Sequence, residues 1–134
     1  MLFRSELKLM HLPQNSPYDI LGVAEAALAG ELAAKNRQFD AAIQHLDRAV
    51  RLHDALTYTE PDDWHYPMRD SLGAVLLQVG RAHEAEIVYW ENLKRFPENG
   101  WSLFGLLQSL KSQNKTKEAA EIEARFRKAG PPPT

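Results

Sequence analysis

The chain has no cysteine. Disulfides, thiolate metal sites and cysteine nucleophiles are therefore excluded, although this does not fix the compartment. It has no surplus of positive charge: the formal charge is -2 and the pI is about 6.2. Such a balance argues against nucleic acid and against strong attachment to a membrane surface. No run of 18 apolar residues is present to span a bilayer. The opening MLFRSELKLMHL is broken by Arg4, Glu6 and Lys8, so it is no secretory apolar core, and a cytoplasmic location is expected. Also missing are a glycine-rich phosphate loop, a GxSxG elbow and an HExxH helix. Ser71, Ser102, Ser109 and Ser112 have no readable base and acid partners, and no catalysis and no cofactor are expected.

What is present is helical periodicity. With 134 residues, 44% hydrophobic and 25% charged, the chain is long enough for one domain with its own core. Phe39, Ala42, Ile43, Leu46, Ala49 and Val50 return 43 residues later as Ala82, Ala85, Glu86, Tyr89, Asn92 and Leu93. Each set follows another apolar helical segment that ends in a short polar or glycine turn, so the repeating unit is a helical hairpin. Such units cannot bury their apolar faces alone and stack on their neighbours.

Six helices are predicted between residues 17 and 129. Ser16 is a cap, and Pro17 with Asp19 opens the first helix, which runs to about Asn36 and is crowded with alanine and Gly30. A second spans about Phe39 to Leu56. The third starts at Tyr66-Pro67, carries Leu72, Val75, Leu76 and Val79, and stops at Gly80. A fourth runs from about His83 to Phe96 and is closed by Pro97. Asn99 caps the fifth, which carries Leu103, Leu106, Leu107 and Leu110, and Thr116 caps the sixth, which ends at Gly130. Residues 57–65 (TYTEPDDWH) are an inserted loop, 1–15 an N-terminal extension and 131–134 a tail.

These hairpins resemble tetratricopeptide repeats. From Tyr66, Leu72-Gly73, Leu76, Gly80, Ala85, Tyr89 and Pro97 fall on the family's pattern, with Asn92 in place of the usual alanine. From Val23, Ala29-Gly30, Ala33, Ala42, Leu46 and Ala49 follow it, with Asp54 where proline is usual. From Gly100, Leu106, Leu107, Leu110 and Ala119 follow it until Glu123 replaces an aromatic. The repeats thus cover about 23–56, 66–99 and 100–130. LGAVLLQVGRAHEAE and RFPENGWSLFGLLQSL are also similar to the C-terminal repeat region of longer bacterial proteins of this kind.

The resemblance implies an all-α, right-handed superhelix of three hairpins whose concave groove binds a protein or peptide segment. Carried over position by position, the groove residues are Glu31 and Lys35 with Ala24, Ala27 and Ala34. They continue as Asp70, Ala74 and Gln78 with Pro67 and Leu77, then Trp101, Phe104 and Gln108 with Lys111 and Ser112. The clamp with which some relatives hold the acidic tails of heat-shock chaperones is absent: Ala27, Glu31, Ser71, Trp101 and Gly105 stand where its Lys, Asn and Arg would be. An extended or helical segment docking by apolar and hydrogen-bond contacts is expected instead.

The chain is rich in aromatics for a small helical domain, and aromatic anchors often dominate interfaces; Trp101 is balanced between anchor and packing roles, while Tyr89 and Phe96 are expected to pack between hairpins. His53-Asp54 and Asp62-Asp63-Trp64-His65 could hold a divalent metal, but their spacing matches no ligand motif, and solvated acids are the simpler reading. The mixed charges from Lys117 to Lys128 read as an outer face. In the extension, Phe3, Leu7 and Met10 fit one helix face and Leu7 and Leu9 a strand. That segment is expected either to cover the alanine-rich end of the first hairpin or to cross to a second copy, making a homodimer. Self-association of a structural segment is thus the alternative to a binding scaffold.

Overall fold

A computed structural model describes residues 17–56, 68–97 and 99–130. Among these residues there are six α-helices and no strand: α1 Pro17–Lys35, α2 Phe39–Asp54, α3 Met68–Gln78, α4 Ala82–Arg95, α5 Gly100–Ser112 and α6 Thr116–Ala129. The all-α class read from the sequence is observed. The extension, the inserted loop, the tail and the helix start at Ser16 and Tyr66-Pro67 lie outside the described residues. Two compact units divide the chain, Met1–Met68 with α1 and α2, and Arg69–Thr134 with α3 from Arg69 onward, α4, α5 and α6.

In the first unit α1 and α2 pack as a hairpin through small residues. Val23, Ala26, Ala27, Gly30 and Ala33 of α1 are buried, as are Ala42, Leu46, Ala49 and Val50 of α2. Gly30 faces Leu46: a Cβ there would lie 2.6 Å from Leu46 Cγ and 3.3 Å from its backbone nitrogen. The missing methyl is what lets the helix backbones come together.

The second unit repeats the device with a larger side chain. Tyr89 of α4 lies between Gly73 of α3 and Gly105 of α5, and a Cβ at either glycine would overlap its ring. Gly30 with Leu46 and Gly73 with Tyr89 have the same separation along the chain, so both hairpins use one construction, a bare helix surface that receives the side chain from the next helix. Around it Leu103, Leu106 and Leu110 have no exposed surface, and Leu72, Val75, Leu76, Ala85, Leu93, Ala119 and Ile122 complete the core. Each buried leucine contributes about 1.5–3 kcal/mol.

The three hairpin turns are the clearest sign of repetition. Arg37, Gly80 and Asn114 all have positive φ, at 60°, 84° and 61°. The N–H of each bonds the carbonyl three residues back (Ala34, Leu77 and Lys111, all 3.0 Å). The following N–H reaches five residues back, Gln38 to Ala33 and Arg81 to Leu76 at 2.8 Å and Lys115 to Leu110 at 3.0 Å. This left-handed closure satisfies carbonyls that the helix ends would leave orphaned. Gly80 follows Arg37 by 43 positions and precedes Asn114 by 34; the excess of nine equals the length of segment 57–65.

Several boundaries differ from expectation. α2 ends at Asp54 and α4 starts at Ala82, each within two residues of the predicted limit. Thr116 does not cap α6: Lys115 is the N-cap, without a side-chain bond, because the turn closure lets the helix begin immediately after it. Phe96 does not pack between hairpins but is exposed, with φ -131° and ψ 76°. The residue before a proline is driven out of helical geometry, which turns its side chain off the α4 face. Asn99 does cap α5, its Oδ1 accepting from Ser102 N–H at 3.1 Å.

Candidate functional site

The second unit holds a polar cluster where α3, α4 and α5 meet. Ser102 Oγ donates to Asp70 Oδ1 at 2.6 Å. Asn92 Nδ2 donates to Ser102 Oγ at 2.7 Å and to Asp70 Oδ1 at 3.3 Å. Asn99 adds a further side-chain hydrogen bond to Asp70. Burial pushes the Asp70 carboxyl above the usual carboxylate range, and the hydrogen bonds from Ser102, Asn92 and Asn99 offset only part of that rise. The same burial, with the Asp70 charge nearby, raises the Tyr89 phenol well above its ordinary value.

Each member has a reason for its place. The α5 cap bond sets Asn99 and the first turn, which puts Ser102 on the inner side of the helix. Asn92 is the residue that departs from the alanine of the family pattern, and its amide is only 2% exposed. A buried amide without partners would cost about 1–3 kcal/mol, and here both Ser102 and Asp70 supply them. The cluster ties three helices together. Ser102 has no exposed surface, so its hydroxyl is a structural donor rather than a group a substrate could reach. Ser102, with no acid partner readable from the sequence, has one in Asp70, and the signal in the sequence that points to the pair is the polar residue at position 92.

Next to this cluster α5 turns an apolar face outward. Ser102, Leu103, Leu106, Ser109 and Leu110 are inside, which leaves Trp101, Phe104, Gln108 and Lys111 at helical spacing on the other side. Trp101 is 53% exposed and Phe104 45%. Phe104 leans on Phe126 of α6, ring centroids 5.9 Å apart at 48°, which fixes its ring without covering it. On α3, Asp70, Ala74 and Gln78 share one face, with Ala74 and Gln78 exposed. The Asp70–Ser102 bond sets this face beside the start of α5. Six of the expected site residues, Asp70, Ala74, Gln78, Trp101, Phe104 and Gln108, thus belong to one unit. Glu31 and Lys35 are exposed on α1, in the other. Ala27, expected among the groove residues, is buried.

At the far end of α5 an ion pair locks the last turn. Lys115 Nζ and Gln113 Nε2 both donate to Glu86 Oε1 at 2.9 Å. Burial raises the Glu86 carboxyl, but the two donors more than reverse this, and the group titrates below the usual range. Among the described residues no group of three or more His, Asp or Glu side chains could hold a metal ion, and no helix is long and apolar enough to cross a membrane. His53 and Asp54 each have interactions at the end of α2. Residues 62–65, the other half of the considered metal pair, lie outside the described residues. No protein-family model and no curated protein matches the chain.

Proposed function

We propose that this chain is a tetratricopeptide-like repeat protein, three hairpins in a right-handed superhelix, that binds a protein or peptide segment and carries out no reaction of its own. The observation that carries the reading is the outward pair Trp101 and Phe104 on a rigidly held helix, beside the polar face of Asp70, Ala74 and Gln78. Two large aromatics spaced one turn apart, each with about half of its surface in water, are the side chains that most often anchor an interface. The repeat part of the reading is supported by three turns of one geometry, by the matched Gly30–Leu46 and Gly73–Tyr89 contacts, and by the 34-residue spacing of the last two turns.

The face suits an apolar residue laid against Trp101 and Phe104, with Gln78, Gln108 and Lys111 offering hydrogen bonds to a backbone or to polar side chains. Without the basic clamp, recognition of an acidic chaperone tail is not part of the proposal. A cytoplasmic setting belongs to it, since nothing in the face depends on an oxidising compartment. The test is affinity capture from the native host with the wild type, the double variant Trp101→Ala/Phe104→Ala, and Ile87→Ala as an exposed apolar control outside the face. A partner retained by wild type and control but lost from the double variant supports the reading. One retained equally by all three refutes it.

A further inference from the structure

Of the five asparagines in the chain, Asn15, Asn36, Asn92, Asn99 and Asn114, one is followed by glycine. Asn99-Gly100 is the reactive kind of dipeptide, because the backbone nitrogen after an asparagine can attack the side-chain amide carbon, and glycine has no side chain to obstruct the approach. In the fold this bond is the start of α5. Asn99 is the N-cap and Gly100 the first helical residue. The first N–H groups of a helix have no partner within it, so no helical bond holds the attacking nitrogen.

What keeps the reacting atoms apart is the conformation of Asn99. Its φ of -66° and ψ of 110° point the Gly100 nitrogen away from Cβ, and a five-membered ring cannot close until ψ rotates. Two side-chain bonds oppose that rotation. Oδ1 accepts from Ser102 N–H at 3.1 Å, and the side chain also bonds Asp70. Asp70 in turn is held by Ser102 Oγ at 2.6 Å and Asn92 Nδ2 at 3.3 Å, which ties the cap to α3 and α4.

We propose that Asn99-Gly100 is a modification site, a bond that deamidates spontaneously when the first turn of α5 opens, with the Asp70–Asn92–Ser102 cluster as the lock that keeps it closed. Gly100 N gives up its proton and bonds Asn99 Cγ, the Cγ–Nδ2 bond breaks, and ammonia leaves. Water then adds to one or the other carbonyl of the cyclic imide and opens it to aspartate or to isoaspartate. Neither product restores the start of α5. Aspartate still accepts from Ser102 N–H but brings a second carboxylate against Asp70, whose carboxyl burial already holds above its usual range. Isoaspartate runs the main chain through its side-chain carbons, and the extra methylene displaces the cap from Ser102. The change is irreversible and loosens the turn that carries Trp101.

Wild type, Asp70→Ala, Leu46→Ala and Gly100→Ala are held folded at mildly alkaline pH beside wild type unfolded in guanidinium chloride, and each asparagine is followed by mass spectrometry of digests. In the unfolded chain Asn99 should react before the other four. Folding should slow it roughly ten-fold or more, and Asp70→Ala should restore most of that rate. Leu46→Ala, which opens a cavity in the first unit only, should leave it slow, and Gly100→Ala should suppress it even in guanidinium. An Asn99 that reacts no faster than the other asparagines when unfolded overturns the site. A folded wild type as fast as the unfolded chain, or equal rates in Asp70→Ala and Leu46→Ala, overturns the lock.

Discussion

Replacing Gly105 by alanine should destabilise the second unit although alanine is the better helix former. In an open helix position the change gains about 1 kcal/mol. At Gly105 the new methyl would overlap the Tyr89 ring, and the ring cannot retreat, because on its other side a Cβ at Gly73 would already be 2.5 Å from Tyr89 Cζ. Overpacking of a confined site costs about 1–3 kcal/mol, more where nothing can give. Taking the upper part of that range for a ring held on both sides, the net loss is about 1–2 kcal/mol, a fall in Tm of about 4–7 °C for a chain of this size. Tyr89→Leu removes the ring, and in that background Gly105→Ala should become stabilising by about 0.5–1 kcal/mol as helix propensity alone remains. Gly22→Ala is the control, since its Cβ would make an ordinary 3.7 Å contact with Leu52 Cδ1. Urea unfolding of the four combinations gives the cycle. The same sign for Gly105→Ala in both backgrounds would refute the idea that Tyr89 dictates glycine there.

Other consequences can be measured on the same variants' scale. Arg37→Gly should raise stability by up to about 1 kcal/mol in urea, because a left-handed non-glycine residue costs about 1–2 kcal/mol and glycine gives back part of this in chain entropy. Asn114→Gly should gain less, as asparagine tolerates that conformation. Asp70→Ala should lose about 1–3 kcal/mol by stranding the Ser102 hydroxyl and Asn92 amide, while Asp70→Asn keeps an acceptor and loses less. The raised Asp70 pKa also sets a pH dependence. Above 3.8 the unfolded carboxyl is ionised while the folded one still holds its proton, so its contribution is full at low pH and is lost as pH rises through the folded value. Unfolding of wild type relative to Asp70→Asn, followed from pH 7 down to 4, should show the wild type gaining; a relative loss contradicts the sign.

Much of this was legible in the sequence because helical hairpins write their contacts locally. Alanine crowding in α1, leucine spacing in α5, the asparagine cap at position 99 and the glycine at the α3 turn each have one dominant physical cause. The misses occurred where two causes compete. Thr116 has cap chemistry, yet the turn's own backbone bonds place the helix start beside it. Phe96 has the size of a core residue, yet Pro97 takes its backbone out of the helix. Arg37 occupies a left-handed position that side-chain type does not announce, and only its alignment with Gly80 and Asn114 shows why. The Asp70–Asn92–Ser102 cluster joins residues up to 32 positions apart, and only the break from pattern at Asn92 hinted at it. Trp101, balanced between packing and anchoring, is on the outside.

Binding at the Trp101–Phe104 face is tested by the affinity of peptides selected from a random display library against the wild type. Their Kd should rise at least ten-fold on Trp101→Ala, with the variant still folded and unfolding cooperatively because half of that side chain is already in water. Peptides that bind Trp101→Ala as tightly as wild type, or a selection that enriches no sequence at all, would contradict the account.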